Sequence, residues 1–143
     1  MVDPQYDPTQ TALFGAFDAE PSQTFESIPL SARDAEAVEA LPEGSALLIV
    51  QRGPNSGARF LLDSDVTDAG RSATSDIFLD DVTVSRKHCQ FLANDGTHIV
   101  RDSGALNGTY VNRERVDQAT LKAGDEVQIG KYRLTYHPAV KRA

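Results

Sequence analysis

Three short polar segments carry residue types that could bind a phosphate: "DAGRSATSD", "TVSRKHCQ" and "SGALNGTY". In the first, Arg71 follows Gly70. A guanidinium is a planar fork that matches two phosphate oxygens at once, as a lysine cannot. A glycine before it lets the backbone turn tightly and aim the fork. In the second, Ser85 closes a strand-like "VTV" run. Its hydroxyl can donate one hydrogen bond to a phosphate oxygen while nearby backbone N–H groups donate others, and Arg86 and Lys87 add positive potential. In the third, Asn107 offers an amide with both donor and acceptor, suited to the backbone of an extended peptide, while Asn107-Gly108 is also a favoured turn dipeptide. Taken singly, each residue has an ordinary structural reading as a surface arginine, a turn serine or a turn asparagine. The ordered set is what points to a site.

Other chemistry fits poorly. His88 precedes the apolar "CQF" and is expected to point into the end of the fold, where two ring nitrogens can tie neighbouring loops together. Neighbours on a strand face opposite sides, so His88 and Cys89 do not make a nucleophile pair. His98 and His137 stand at no ligand-like spacing from it. Asp76, Asp80 and Asp81 lack the glycine and the spacing of a calcium loop, and read as solvated loop carboxylates. No catalytic residue, metal site or cofactor is expected.

The elements that must carry these loops are short strands. "ALLIVQR", "ARFLL", "DIFL", "CQFLA", "HIVRD", "TYVN", "EVQI" and "YRLTY" follow one another at spacings of about ten residues, with turn signals at Asn94–Thr97, Ala105–Thr109 and Lys122–Glu126. That pattern argues an all-β sandwich, whose side chains fill the space between sheets and displace chemistry to loops at the ends.

The 143 residues bear a net charge of −7, distributed unevenly. Residues 1–44 hold nine acidic residues and one basic, whereas residues 45–143 hold twelve acidic and thirteen basic. Five prolines, scattered Ser and Thr, and low hydrophobic density make 1–44 a largely disordered acidic tail, and 45–143 the folded domain. Within the tail, "SARDAEAVEALP" has an N-cap in Ser31 and a stop in Pro42, a nascent helix at most because about ten residues are marginal alone. No apolar run is long enough to span a membrane, and no contiguous basic face suits nucleic acid. A start without basic and apolar regions argues against a signal peptide, and one cysteine excludes an internal disulfide, so a cytoplasmic monomer is expected.

Gly70-Arg71, then Ser85-x-x-His88, then Asn107-Gly108, on about ninety residues of β sequence, resembles a forkhead-associated domain. The resemblance covers roughly residues 45–137. It implies an eleven-stranded FHA-type β-sandwich that binds phosphothreonine peptides through loops at one end. "SDIFLDDVTVSRKHCQF", "NGTYVNRE" and "GDEVQIGKYRL" are similar to the actinobacterial glycogen accumulation regulator and oxoglutarate dehydrogenase inhibitor group. That likeness implies that Arg71 and Ser85 hold the phosphate with Arg86 close by, and that Asn107 holds the peptide backbone. Gly70, His88 and Gly108 would shape the loops.

It further implies binding and inhibition of oxoglutarate dehydrogenase or glutamate-metabolising enzymes, and a serine/threonine kinase that phosphorylates the N-terminal tail, which then closes on the domain. The group's Glu-Thr-Thr-Ser-Val-Phe tail motif is matched only by Thr9-Gln10-Thr11-Ala12-Leu13-Phe14, which keeps Thr11 as the kinase site. Ala105 and Ser72 replace a common Ser and a common His. Thr9 and Thr24 are alternative sites. Some thirty-five residues of flexible tether would span about 30–35 Å. The competing function is an adaptor that recruits phosphorylated partners, with the tail as a tether only.

Overall fold

The computed structural model describes residues 30–140. One helix, α1 (Ala32–Glu39), precedes eleven strands: β1 (Ala46–Arg52), β2 (Arg59–Leu62), β3 (Val66–Gly70), β4 (Ile77–Phe78), β5 (Cys89–Asn94), β6 (Thr97–Asp102), β7 (Thr109–Val111), β8 (Glu114–Val116), β9 (Gln118–Thr120), β10 (Glu126–Ile129) and β11 (Tyr132–Pro138). They form two sheets, ordered β2-β1-β11-β10-β7-β8 and β4-β3-β5-β6-β9. Among the described residues only β3 and β4 pair in parallel. This is the all-β sandwich that the strand spacing predicts.

Period-two alternation builds the core. Leu48 and Val50 of β1, Leu134 and Tyr136 of β11, Val127 and Ile129 of β10, and Phe91 of β5 converge on Leu62, Ile77, Leu79, Val100 and Leu121. Fully burying each Leu, Ile or Phe is worth about 1.5–3 kcal/mol. The Asn94–Thr97 turn closes the β5–β6 hairpin as its sequence predicts. Asp95 and Gly96 adopt φ of 50° and 83° there, the left-handed pair whose twist matches the flanking strands.

Four segments depart from expectation. The segment "VTDAG" is strand β3 rather than the start of a polar loop; its Thr67 and Ala69 are buried, and it pairs with β5 from Val66↔Leu92 to Ala69↔Cys89. The polar edge strands β8 and β9 carry too little hydrophobic alternation to be read. Conversely, Val82–Val84 is no strand. Asp81 Oδ2 accepts from the Thr83 N–H and Oγ1–H at 2.9 and 2.6 Å, and the Val84 N–H closes on the Asp81 carbonyl at 3.0 Å. An aspartate that bonds its own turn overrides the β-propensity of Val-Thr-Val.

Helix α1 is formed in full. Ser31 Oγ accepts from the Asp34 N–H at 3.1 Å, and the half-buried residues Asp34, Ala37, Val38 and Leu41 lie at the i, i+3, i+4, i+7 spacing of one helical face. Asp34 on that face turns toward the outside of the six-stranded sheet. Asp34 lies 3.7 Å from Arg59, which pairs opposite Ile49. The Asp34 charge also reaches His137, which pairs opposite Leu47 and whose imidazole burial holds below its usual range. Leu47 and Ile49 point away from the shared core, yet are only 7% and 1% exposed. Tertiary contacts thus supply what an eight-residue helix lacks alone. Within the expected tail, Ala32–Glu39 are thus helical with Asp34 beside the sandwich, and Thr9, Thr11 and Thr24 fall outside the described residues. Val38→Ser should lower unfolding free energy in urea by about 1 kcal/mol while leaving phosphopeptide affinity unchanged, since Val38 lies on the outer face of the sheet.

Candidate functional site

The backbone holds Arg71 beside Ser85. The Arg71 N–H donates to the Ser85 carbonyl at 2.9 Å, the Ser72 N–H to the Arg86 carbonyl at 3.2 Å, and the His88 N–H to the Ala69 carbonyl at 3.0 Å. The loop from Ser85 to His88 therefore runs along the end of β3. Gly70 permits that approach, because a Cβ there would overlap the Arg86 carbonyl oxygen. Its backbone φ is not left-handed, so its use is close contact rather than the tight turn expected of it.

Arg71 Nε donates to the Val84 carbonyl at 3.0 Å, which fixes the guanidinium plane and leaves its two Nη groups uncommitted among the described residues. Ser85 Oγ accepts from the Leu106 N–H at 3.0 Å and so keeps its own hydrogen for an outside acceptor. Arg86 and Lys87 are exposed beside it.

His88 is fully buried and ties two loops. The Ser85 N–H donates to Nδ1 at 3.1 Å, and Nε2 lies 2.9 Å from the Gly108 carbonyl. A ring nitrogen that accepts from an amide cannot carry a proton, so the imidazole is neutral and Nε2–H is the donor to Gly108. Burial, opposed by the Gly108 carbonyl and the Asp102 charge, holds its pKa below the usual range. Gly108 itself adopts φ +79°, and a Cβ there would meet the Arg115 side chain.

Asn107 Nδ2 donates to the Thr83 carbonyl at 2.9 Å. One end of the amide therefore braces the neighbouring loop. Thr83 is a hub that sequence reasoning missed. Its Oγ1 accepts from the Lys131 N–H at 2.9 Å, and Gly130 lies so close that a Cβ would strike Thr83. Asp81 completes the cluster, with Lys131 Nζ 3.5 Å from its Oδ1. The two Thr83 bonds, with Lys131 assisting, hold the Asp81 carboxyl below its usual range. Asp81 is thus no free solvated carboxylate, and Asp76 accepts from the Asp68 N–H at 2.9 Å. Beside Asn107 opens a groove of about 470 Å³, bordered by Thr83, Tyr110, Arg113 and Lys131.

The backbone N–H groups expected to serve a phosphate are partly spent: those of Ser85 and Leu106 bond His88 and Ser85. Cys89 is buried, which pushes its thiol pKa up and leaves it inert. Among the described residues no three His, Cys, Asp or Glu side chains converge on a metal position.

Burial holds His88, His98 and His137 all below the ordinary imidazole range. Under about pH 6.5 the unfolded chain therefore takes protons before the folded one does. The stability these groups contribute is complete above that pH and is lost as pH falls. Urea unfolding should show stability dropping between pH 7.5 and 5.0, by at most about 1.4 kcal/mol per histidine per pH unit, with less proton uptake on unfolding for His88→Gln. A flat profile would contradict the neutral imidazole.

A family model for the FHA domain matches residues 67–130. The chain is 66% identical over 99 residues to the glycogen accumulation regulator GarA of Mycolicibacterium smegmatis, a match covering 69% of this chain and 63% of that protein. It is 53% identical over 127 residues to the oxoglutarate dehydrogenase inhibitor of Corynebacterium glutamicum, covering 89% of each. Matches to the mycobacterial relatives thus span under two thirds of their length. Among solved structures, Mycobacterium tuberculosis EmbR in complex with a low affinity phosphopeptide superposes with a TM-score of 0.63 and 25% identity, over 78% of this chain and 30% of that one. With a domain match centred on the loops just described and high identity along most of the corynebacterial protein, the chain belongs to the FHA-domain family, in the group of GarA and the oxoglutarate dehydrogenase inhibitors.

Proposed function

We propose that the protein is a binding regulator rather than an enzyme. It would take a phosphothreonine between Arg71 and Ser85, with Arg86 adding charge and Asn107 holding the peptide backbone. The observation that carries this reading is the pairing of an oriented guanidinium with a hydroxyl whose hydrogen is unspent, side by side at one end of the sandwich. Both groups match a phosphate dianion, and the Arg71 Nη groups and the Ser85 hydroxyl hydrogen are committed to nothing else among the described residues.

The target we infer is oxoglutarate dehydrogenase or an enzyme of glutamate metabolism, because the relative matched over 89% of both chains is named an inhibitor of that dehydrogenase. Such a regulator works in the cytoplasm as a monomer. A serine/threonine kinase that phosphorylates Thr11 would then switch it off. Phosphorylation adds a charge of about −1.5 to −2 and three acceptor oxygens, and the tail would occupy the site in place of the enzyme. Since α1 is docked, a free tether would begin near Leu30, and a flexible chain from Thr11 to there spans about 24 Å. A tail tethered so near the domain would reach an effective concentration of about millimolar.

Arg71→Ala tests the site. Charge-assisted bonds contribute about 1.5–3 kcal/mol each, so calorimetry should show phosphothreonine-peptide affinity falling by roughly 10- to 100-fold at unchanged unfolding midpoint. Unchanged affinity would remove Arg71 from the site. In parallel, unphosphorylated protein should inhibit oxoglutarate dehydrogenase and Thr11-phosphorylated protein should not. Equal inhibition by both forms would leave only the adaptor reading.

A further inference from the structure

One row of side chains crosses the outer face of the six-stranded sheet. The register runs Arg52↔Arg133, Arg133↔Gln128, Gln128↔Tyr110 and Tyr110↔Arg115, so five strands contribute one residue each. Their strand neighbours Leu134, Val127, Ile129 and Val111 belong to the core, which leaves the row on the solvent side. Strands stand about 4.8 Å apart, so the row is about 19 Å long. It starts beside the candidate phosphate site, because the Arg115 side chain lies where a Cβ on Gly108 would be, next to Asn107. Arg113 and Lys131 border the groove that Tyr110 and Gln128 share with Asn107. Five cations there meet two carboxylates: Glu126 lies 3.8 Å from Arg113 and 3.6 Å from Arg133, and Asp81 lies 3.5 Å from Lys131.

Two features of this face work against the isolated domain. Arg52 and Arg133 stand directly opposite one another, after a bulge at Gln51, and like charges so placed are destabilising. Arg113 takes the second central position of the two-residue β7–β8 turn with φ +69°, after Asn112 at +50°. Such a turn favours glycine there, and a residue with a Cβ is strained. Both features keep a guanidinium on the open face, and strain that is retained in this way marks a use outside the fold.

We propose that this row is a docking surface for a carboxylate-rich stretch of the enzyme that the chain regulates, acting beside the phosphate pair and not as part of it. The proposal rests on the reading above that oxoglutarate dehydrogenase is the target. Acidic side chains recur about every 5.4 Å along one face of a helix and about every 6.6 Å along one face of a strand. Three or four of them therefore match the length of the row. Arg52, Arg115 and Arg133 supply the charge, and the Gln128 amide and Tyr110 hydroxyl add uncharged donors between them. Nucleic acid fits this face less well. The net charge of −7 repels a long polyanion, and Glu126 stands among the cations.

The test compares the unphosphorylated full chain with its Arg52→Glu/Arg113→Gly variant. Each is titrated with oxoglutarate dehydrogenase and, separately, with a short phosphothreonine peptide whose other residues are uncharged. The first substitution removes a like-charge pair and the second relieves a left-handed arginine, so the unfolding midpoint should hold or rise by about 3 °C. Affinity for the dehydrogenase should nevertheless fall about tenfold at low salt, with the gap closing as salt is raised. Affinity for the phosphopeptide should not change. If wild type fails to bind the dehydrogenase, the target reading fails and takes the proposal with it. If wild type binds and the variant binds equally well, the proposal alone fails. A lowered midpoint would assign these arginines to the fold, and an equal loss of phosphopeptide affinity would assign them to the phosphate site; either result overturns the proposal.

Discussion

The binding end depends on one buried ring. Neutral His88 accepts the Ser85 amide on Nδ1 and donates from Nε2 to the Gly108 carbonyl, so a single rigid group sets the separation of two loops remote in sequence. In a site shielded from water these bonds have no cheap substitute, because an amide or a carbonyl left unpaired there costs about 1–3 kcal/mol. The two bonds need an acceptor and a donor about two bonds apart in a plane, which the neutral imidazole supplies in one rigid ring.

Around that ring the other contacts are redundant in direction. Gly70 lets the Ser85–Arg86 backbone close on β3, Leu106 orients the Ser85 hydroxyl, Val84 orients the Arg71 guanidinium, and Asn107 reaches back to Thr83. The turn after β10 joins through Gly130, Lys131 and Asp81. The loops are therefore held before any ligand arrives, which reduces the ordering entropy that binding must overcome. The sandwich core contributes indirectly, by fixing the strand ends from which all of these loops depart.

Much of this was legible in the sequence, unevenly so. Strands with clean alternation, such as "EVQI" and "YRLTY", announce themselves because half their residues face a core. The Asn94–Thr97 hairpin is legible because few residues tolerate left-handed φ. Val82–Val84 misleads, since a side chain outside the run, Asp81, decides its conformation. Helix α1 misleads differently: the partners of its Asp34, Arg59 and His137, lie on a surface that exists only after the sheet has formed. The site residues Arg71, Ser85, His88 and Asn107 could be picked out by type and spacing. Thr83 and Leu106 could not, because one acts through backbone and hydroxyl bonds to distant turns and the other through a main-chain amide.

The most direct measurement is a crystal structure of the protein with a phosphothreonine peptide. The phosphate oxygens should lie about 2.7–2.9 Å from the Arg71 guanidinium and about 2.5–2.7 Å from Ser85 Oγ, with the His88 ring still bonded to the Ser85 amide and the Gly108 carbonyl. A phosphate bound elsewhere, or a His88 ring that releases either loop on binding, would contradict the account.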